Sequence, residues 1–139
     1  MRFLLALLVT FVLAACSTAP AARDQPHPQN ASLDPAVDSL LTWAATDFHT
    51  HRAMYPARLR NVRSGYFVTA DGTRQYRLCG EFLPAQGGGT AEWTRFVTII
   101  TDPYEQWIGG QAAPYCDSGV TWHEGDLSSL LQSRLDSLR

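Results

Sequence analysis

The spacing of apolar positions along this chain changes from segment to segment. Phe3 to Val12 is an apolar run interrupted only by Thr10. Ser17 to Leu33 has no periodicity: Ala, Pro, Ser, Thr, Gln and Asn dominate, and Pro20, Pro26 and Pro28 forbid a continuous helix. From Asp34 a helical spacing begins. Val37, Leu40, Leu41, Ala44, Ala45 and Phe48 recur every three or four residues, with Asp38, Thr42 and Asp47 elsewhere. Asp34-Pro35 supplies a capping residue followed by proline in the first turn, so a helix should open there. It should end near His51 to Met54, because Tyr55-Pro56 cannot continue it.

From Arg58 the pattern becomes that of strands. Gly65 to Thr69 and Arg74 to Phe82 flank Ala70-Asp71-Gly72-Thr73, and Asp-Gly between two β-prone runs predicts a hairpin. Tyr76, Leu78, Gly80 and Phe82 share one face of the second strand, while Gln75, Arg77, Cys79 and Glu81 share the other. A two-residue turn at Asp71-Gly72 would place Phe67 opposite Tyr76 and match the apolar faces. Pro84 and Gly87-Gly88-Gly89 read as a loop; no Lys and Ser/Thr follow the triplet as a phosphate-binding loop requires. Trp93 to Thr101 predicts a buried central strand, Asp102-Pro103 a turn and Tyr104 to Ile108 a return strand. Cys116 falls in the loop after Gly109-Gly110, and Gly119 to Trp122 adds at most a short edge. Leu127, Leu130, Leu131, Leu135 and Leu138 then lie along one side of a closing helix capped by Asp126. The expected fold is α+β: an N-terminal helix, an antiparallel sheet of about four strands and a C-terminal helix.

The first residues have a different logic. Arg2, the apolar run and Leu13-Ala14-Ala15-Cys16 follow the layout of a secretory signal, with a charged start, a short apolar core and small residues at the cut. The run is shorter than the roughly 20 apolar residues a membrane-spanning helix needs. The Leu-Ala-Ala-Cys ending resembles the lipobox of bacterial lipoproteins, whose signal peptide is removed before a cysteine that is then acylated. That resemblance implies a signal peptide over residues 1–15, a lipidated Cys16 carrying chains such as palmitate, and a flexible tether over 16–33. It implies anchoring in a bilayer, on the order of 0.8 kcal/mol per buried methylene. Ser17 is not the aspartate that marks inner-membrane retention in such lipoproteins. The periplasmic face of the outer membrane is therefore expected, with the inner-membrane periplasmic face as the alternative. The tether would reach on the order of 20 Å.

About 106 residues, 34–139, remain for one small domain. Setting Cys16 aside leaves Cys79 and Cys116, an even number in an oxidising compartment, and a disulfide between them is expected. Such a loop would contribute about 4 kcal/mol by chain entropy. The two cysteines have no second C-x-x-C and no histidine at ligand spacing, so neither a metal site nor a cofactor is expected. His49 and His51 would point about 200° apart on a helix and could not chelate one ion together.

All 11 basic residues are arginine. Seven of them, from Arg52 to Arg95, face only Asp71, Glu81 and Glu92, a local balance of +4 in a chain of net charge −2. Internal charge pairing is one reading. The other is a basic face for an acidic protein or for anionic headgroups; the compartment and the overall balance argue against nucleic acid. No G-x-S-x-G, no H-E-x-x-H and no paired carboxylates at useful spacing are present, so no catalytic residue is assigned.

Tyr55-Pro56-Ala57-Arg58-Leu59-Arg60-Asn61-Val62, Leu78-Cys79-Gly80-Glu81-Phe82 and Trp93-Thr94-Arg95-Phe96-Val97 follow in an order that resembles a group of small, uncharacterised secreted bacterial domains. The similarity covers about Asp47 to Ile100. It implies the helix–strand–Gly-rich loop–strand arrangement and no chemistry; Leu59 stands where that pattern has phenylalanine, and Phe82-Leu83-Pro84 departs from its polar continuation. Glu81 is the strongest candidate for a special role, with Arg60, Arg77 or Arg95 as its counter-ion. The expectation is an outer-membrane lipoprotein acting as a non-catalytic protein-binding module, in its sharper form an immunity protein against a secreted toxin. Its contact surface would comprise Arg58, Arg60, Arg63, Arg77, Arg95, Glu81, Trp43 and Trp93. The alternatives are an accessory of an envelope secretion or pilus assembly and a small periplasmic hydrolase.

Overall fold

A computed structural model describes residues 32–86 and 91–139. The expected signal peptide, Cys16, nearly all of the tether and the Gly87-Gly88-Gly89 triplet lie outside the described residues. Among the described residues no helix is long and apolar enough to cross a membrane.

Helix α1 spans Pro35–Thr50. Oδ1 of Asp34 accepts the Ala36 amide at 2.8 Å, satisfying a donor that the first helical turn leaves without a partner. Its buried residues are Val37, Leu40, Leu41, Ala44, Ala45 and Phe48, the stripe expected from their spacing. A 3₁₀ turn at Arg52–Met54 leads to Pro56, which opens the sheet.

The strands are β1 (Pro56–Val68), β2 (Arg74–Pro84), β3 (Thr94–Ile100), β4 (Tyr104–Ile108) and β5 (Thr121–Trp122). They form one antiparallel sheet in the order β4-β3-β2-β1-β5, so the short run before His123 becomes a fifth strand on the β1 edge. Between β4 and β5 lie a 3₁₀ turn at Gly109–Gln111 and helix α2 (Ala113–Cys116), where a loop was expected. Helix α3 covers Ser128–Ser137. The N-cap position is Leu127, with no side-chain cap; Asp126, the expected cap, lies one residue earlier and its Oδ1 accepts the Ser128 amide at 2.7 Å.

The β1–β2 hairpin differs from the expected register by one residue. Tyr66 faces Tyr76 and Phe67 faces Gln75. The loop holds three residues, Ala70 to Gly72, closed by the Thr69 amide to the Thr73 carbonyl at 2.9 Å. Gly72 at φ 85° supplies the left-handed residue such a loop requires after its first turn. Phe67 is consequently turned away from the helices and stays 38% exposed. Further along β1 the pairing slips by one between Arg60 and Arg63, a β-bulge in which Asn61 adopts φ 55°.

Alternation along β2 and β3 gives the sheet two unlike faces. On the helix face, α1 and α3 close over Val62, Leu78, Phe82 and Phe96, with Leu131 and Leu135 also fully buried. Phe48 lies 5.0 Å from Phe82 and 5.1 Å from Phe96 between ring centroids, each pair worth about 0.5–1.5 kcal/mol beyond its buried area. Gly80 shares this face because of side-chain packing, not backbone approach. A Cβ there would meet Phe96 at 2.7 Å and Val62 at 2.8 Å. On the opposite face, Cys79, Val97, Ile99 and Ala112 form a smaller cluster under Trp107, Tyr115, Cys116 and Trp122. The Cys79–Cys116 disulfide, with Cα atoms 6.1 Å apart, ties α2 to this face of β2. It closes a separation of 37 residues, which fastens a covering segment that carries no apolar stripe of its own.

Candidate functional site

The disulfide face carries most of the charged and aromatic residues that the sequence singles out. Arg58 and Arg60 are one strand alternation apart on β1, so their side chains leave the same face. Both guanidinium groups lie over the ring of Trp93, at 5.7 and 4.1 Å from its centroid. Arg60 faces Glu81 across β1 and β2, and Glu81 faces Arg95 across β2 and β3. Register therefore places one carboxylate between two cations. Arg60 Nε donates to Glu81 Oε2 at 2.8 Å, and the bulge brings Asn61 Nδ2 to the same oxygen at 3.0 Å. The hydrogen bond from Arg60 holds the Glu81 carboxyl below its ordinary pKa. Burial opposes it, and Asn61 with the charges of Arg60 and Arg95 adds in the same direction.

Arg95 reaches the other way, to both oxygens of Asp117 at 2.7 and 2.9 Å. Asp117 follows Cys116, so the disulfide brings it to the strand. Arg63 lies 4.6 Å over Trp122. A cleft of about 220 Å³ runs between Glu81, Arg63, Arg95, Asp117 and Trp122, with the disulfide in its wall. Ligand pockets for small molecules commonly hold about 300–1,000 Å³, so this one is small for such a substrate. Neither Arg58 nor Arg63 pairs with a carboxylate among the described residues.

Two of the expected surface residues do not join this surface. Arg77 points to the same face but is only 4% exposed. Its Nη1 donates to the Tyr115 carbonyl at 2.7 Å beneath α2, the Phe67 ring lies 5.3 Å away, and burial lowers its pKa. It props up the covering segment and cannot be a contact residue. Trp43 belongs to α1, in the helix layer, where it stacks on Tyr104 at 5.3 Å and an interplanar angle of 12°. It shares no surface with the arginines.

Asn61, Asp117 and Trp122 complete the site and were not singled out in the sequence. Asparagine before a run of β-prone residues is a weak signal of a left-handed bulge. The other two become visible only once Cys116 is joined to Cys79.

A second pairing has the outline of nucleophile and base: Ser64 Oγ lies 3.1 Å from His123 Nδ1. Ser64 is 4% exposed and faces the helix layer opposite Leu78, while Tyr66 and Tyr76 flank the imidazole. No substrate could reach the hydroxyl without opening the sheet edge, and the His123 amide also donates to the Ser64 carbonyl at 2.9 Å. The pair fastens β1 to the chain after β5. Among the described residues no group of three or more His, Cys, Asp or Glu is placed to hold a metal ion.

No protein-family model matches the chain, and no curated protein or solved structure matches it either.

Proposed function

We propose that this chain is an outer-membrane lipoprotein, anchored on the periplasmic face through acylated Cys16, whose disulfide face binds an acidic protein partner. One observation carries the reading: Arg58 and Arg60 stacked on Trp93, beside Arg63 on Trp122. Arginine and tryptophan are the residue types that dominate binding hot spots, and stacking on a ring fixes an arginine before a partner arrives, so less entropy is lost on contact. Glu81 is held below its ordinary pKa and its Oε2 accepts from both Arg60 and Asn61, which suits a carboxylate that positions Arg60.

In its sharper form the protein is an immunity protein that blocks a toxin delivered by a neighbouring cell. A small disulfide-tied domain on a lipid tether suits capture of an incoming protein at the membrane.

The test has two arms. Labelled palmitate should enter the wild-type chain and not Cys16→Ser; failure to label removes the anchor. Capture of a periplasmic partner should be lost in Arg58→Glu/Arg60→Glu and weaken with added salt. Unchanged capture by that variant rejects this face as the binding surface. The immunity reading requires that cells lacking the protein be killed by the captured partner.

A further inference from the structure

We infer that the partner presents an extended acidic segment, which adds to the free edge of β1 as a further strand. This rests on the partner-binding reading above and specifies what the partner looks like.

β1 is much longer than the strand beside it. Among the described residues β5 pairs with β1 only at Gly65 and Tyr66, so no strand lies against Pro56 to Asn61 on that side. Backbone direction follows from the pairing. The carbonyls of Ser64 and Val62 bond outward to the amides of His123 and Leu127. Residues of β1 opposite Cys79 and Arg77 therefore face β2, and the same alternation along β2 turns Arg58 and Arg60 inward beyond the bulge. The pairing shifts again between Arg58 and Pro56, where the Tyr55 carbonyl accepts the Ala85 amide. Between the two shifts it is Leu59 whose amide and carbonyl point away from the sheet, the groups an added strand uses.

The space beside that edge is a groove of about 540 Å³ between β1 and α3. Its two walls differ. Toward α3 it is lined by Ser129, Gln132, Ser133 and Asp136, small or polar groups with one negative charge. Toward the disulfide face the groove is lined by Arg58, with Arg60 beyond it, both steadied on Trp93. An added strand points alternate side chains to these two walls. Acids facing the arginines are attracted, and acids facing Asp136 are repelled. The complementary segment thus carries Asp or Glu at every second residue, with small polar residues between. A second copy of this chain is a poor occupant: symmetric antiparallel pairing centred on Leu59 sets Arg58 of one copy against Arg60 of the other.

The test uses the folded wild-type domain on its lipid-free tether and two synthetic peptides of equal composition. One alternates Glu with Thr and Ser; the other groups its Glu residues at one end. The alternating peptide should bind more tightly by about tenfold and slow hydrogen exchange at the amide of Leu59. Arg58→Glu/Arg60→Glu should abolish both effects while leaving exchange in α1 unchanged, which shows that the variant is folded.

Equal binding of both peptides with unaltered exchange at Leu59 overturns strand addition and leaves the arginine face as a binding surface. Absence of peptide binding, with partner capture still lost in the charge-reversed variant, likewise overturns only this inference. Protection of the Leu59 amide in peptide-free dimers would assign the edge to a second copy and reject the acidic segment. If wild-type protein captures no partner and binds no peptide, both readings fall.

Discussion

On the helix face Phe48, Phe82, Phe96, Leu78, Leu131 and Leu135 are fully buried between sheet and helices, with no charged group among the buried residues. On the disulfide face only Cys79, Val97, Ile99 and Ala112 are buried apolar residues, and the buried Arg77 lies beside them under α2. The first face is held by apolar area and the second by one covalent bond, stacked rings and ion pairs. A surface that gives up apolar burial in this way leaves Arg58, Arg60 and Arg63 exposed over the half-buried rings of Trp93 and Trp122. The difference separates the half held by apolar area from the half proposed to bind a partner.

The largest expected effect lies on the helix face. Phe48→Ala removes the ring that meets both Phe82 and Phe96 and should cost about 3–5 kcal/mol in denaturant unfolding. Partner capture by the fraction that stays folded should be unchanged. Loss of capture from well-folded Phe48→Ala would mean that the faces are not separable.

Cys79→Ser/Cys116→Ser should cost up to about 4 kcal/mol through the 37-residue separation it releases. Unlike the first variant, it should change the fluorescence of Trp107 and Trp122 while α1 keeps its helical signal, because α2 is released and the helix layer is not. Simultaneous loss of both signals would show one cooperative unit with no independent cover.

Gly80→Ala probes the seam. Its Cβ would enter the space held by Phe96 and Val62 on the helix face, while its neighbours Cys79 and Glu81 serve the other. Overpacking of this kind costs about 1–3 kcal/mol. A neutral result would show that the Phe96 ring can give way.

The smallest effect is that of pH on the Arg60–Glu81 tie. The Glu81 pKa is lower in the folded chain than its ordinary 4.5, so the tie stabilises fully above that pH and fades as pH falls through the folded value. Glu81→Gln should therefore show a shallower loss of stability on acidification than wild type. Parallel acid profiles for the two proteins would remove this carboxylate from the ion-pair account.

The two faces also differed in how far the sequence exposed them. A spacing of three and four residues revealed α1 and its buried side chains, because one uninterrupted stripe met one layer. Alternation in β2 separated Leu78 and Phe82 from Cys79 and Glu81 for the same reason. The hairpin register was out of reach: Asp71-Gly72 fits a two-residue loop or the end of a three-residue one, and only Gly72 in its left-handed position selects the second. Residues 109–122 have no period at all. Their placement over β3 follows from the disulfide and the Arg77–Tyr115 bond, so Arg77 looked like a surface charge and Asp117 like a loop residue. Trp43 and Trp93 were equivalent candidates by residue type; chain order alone does not say that one belongs to the helix layer and the other to the arginines.

That last pair provides the most direct test of the division. Trp93→Ala and Trp43→Ala remove the same side chain from opposite layers, one from beneath Arg58 and Arg60 and the other from its stack on Tyr104. Binding of the captured partner to each variant should be measured by titration at matched folded concentration. Weakened binding for Trp93→Ala alone is the predicted result; weakened binding for Trp43→Ala with Trp93→Ala intact would contradict the assignment of function to the disulfide face.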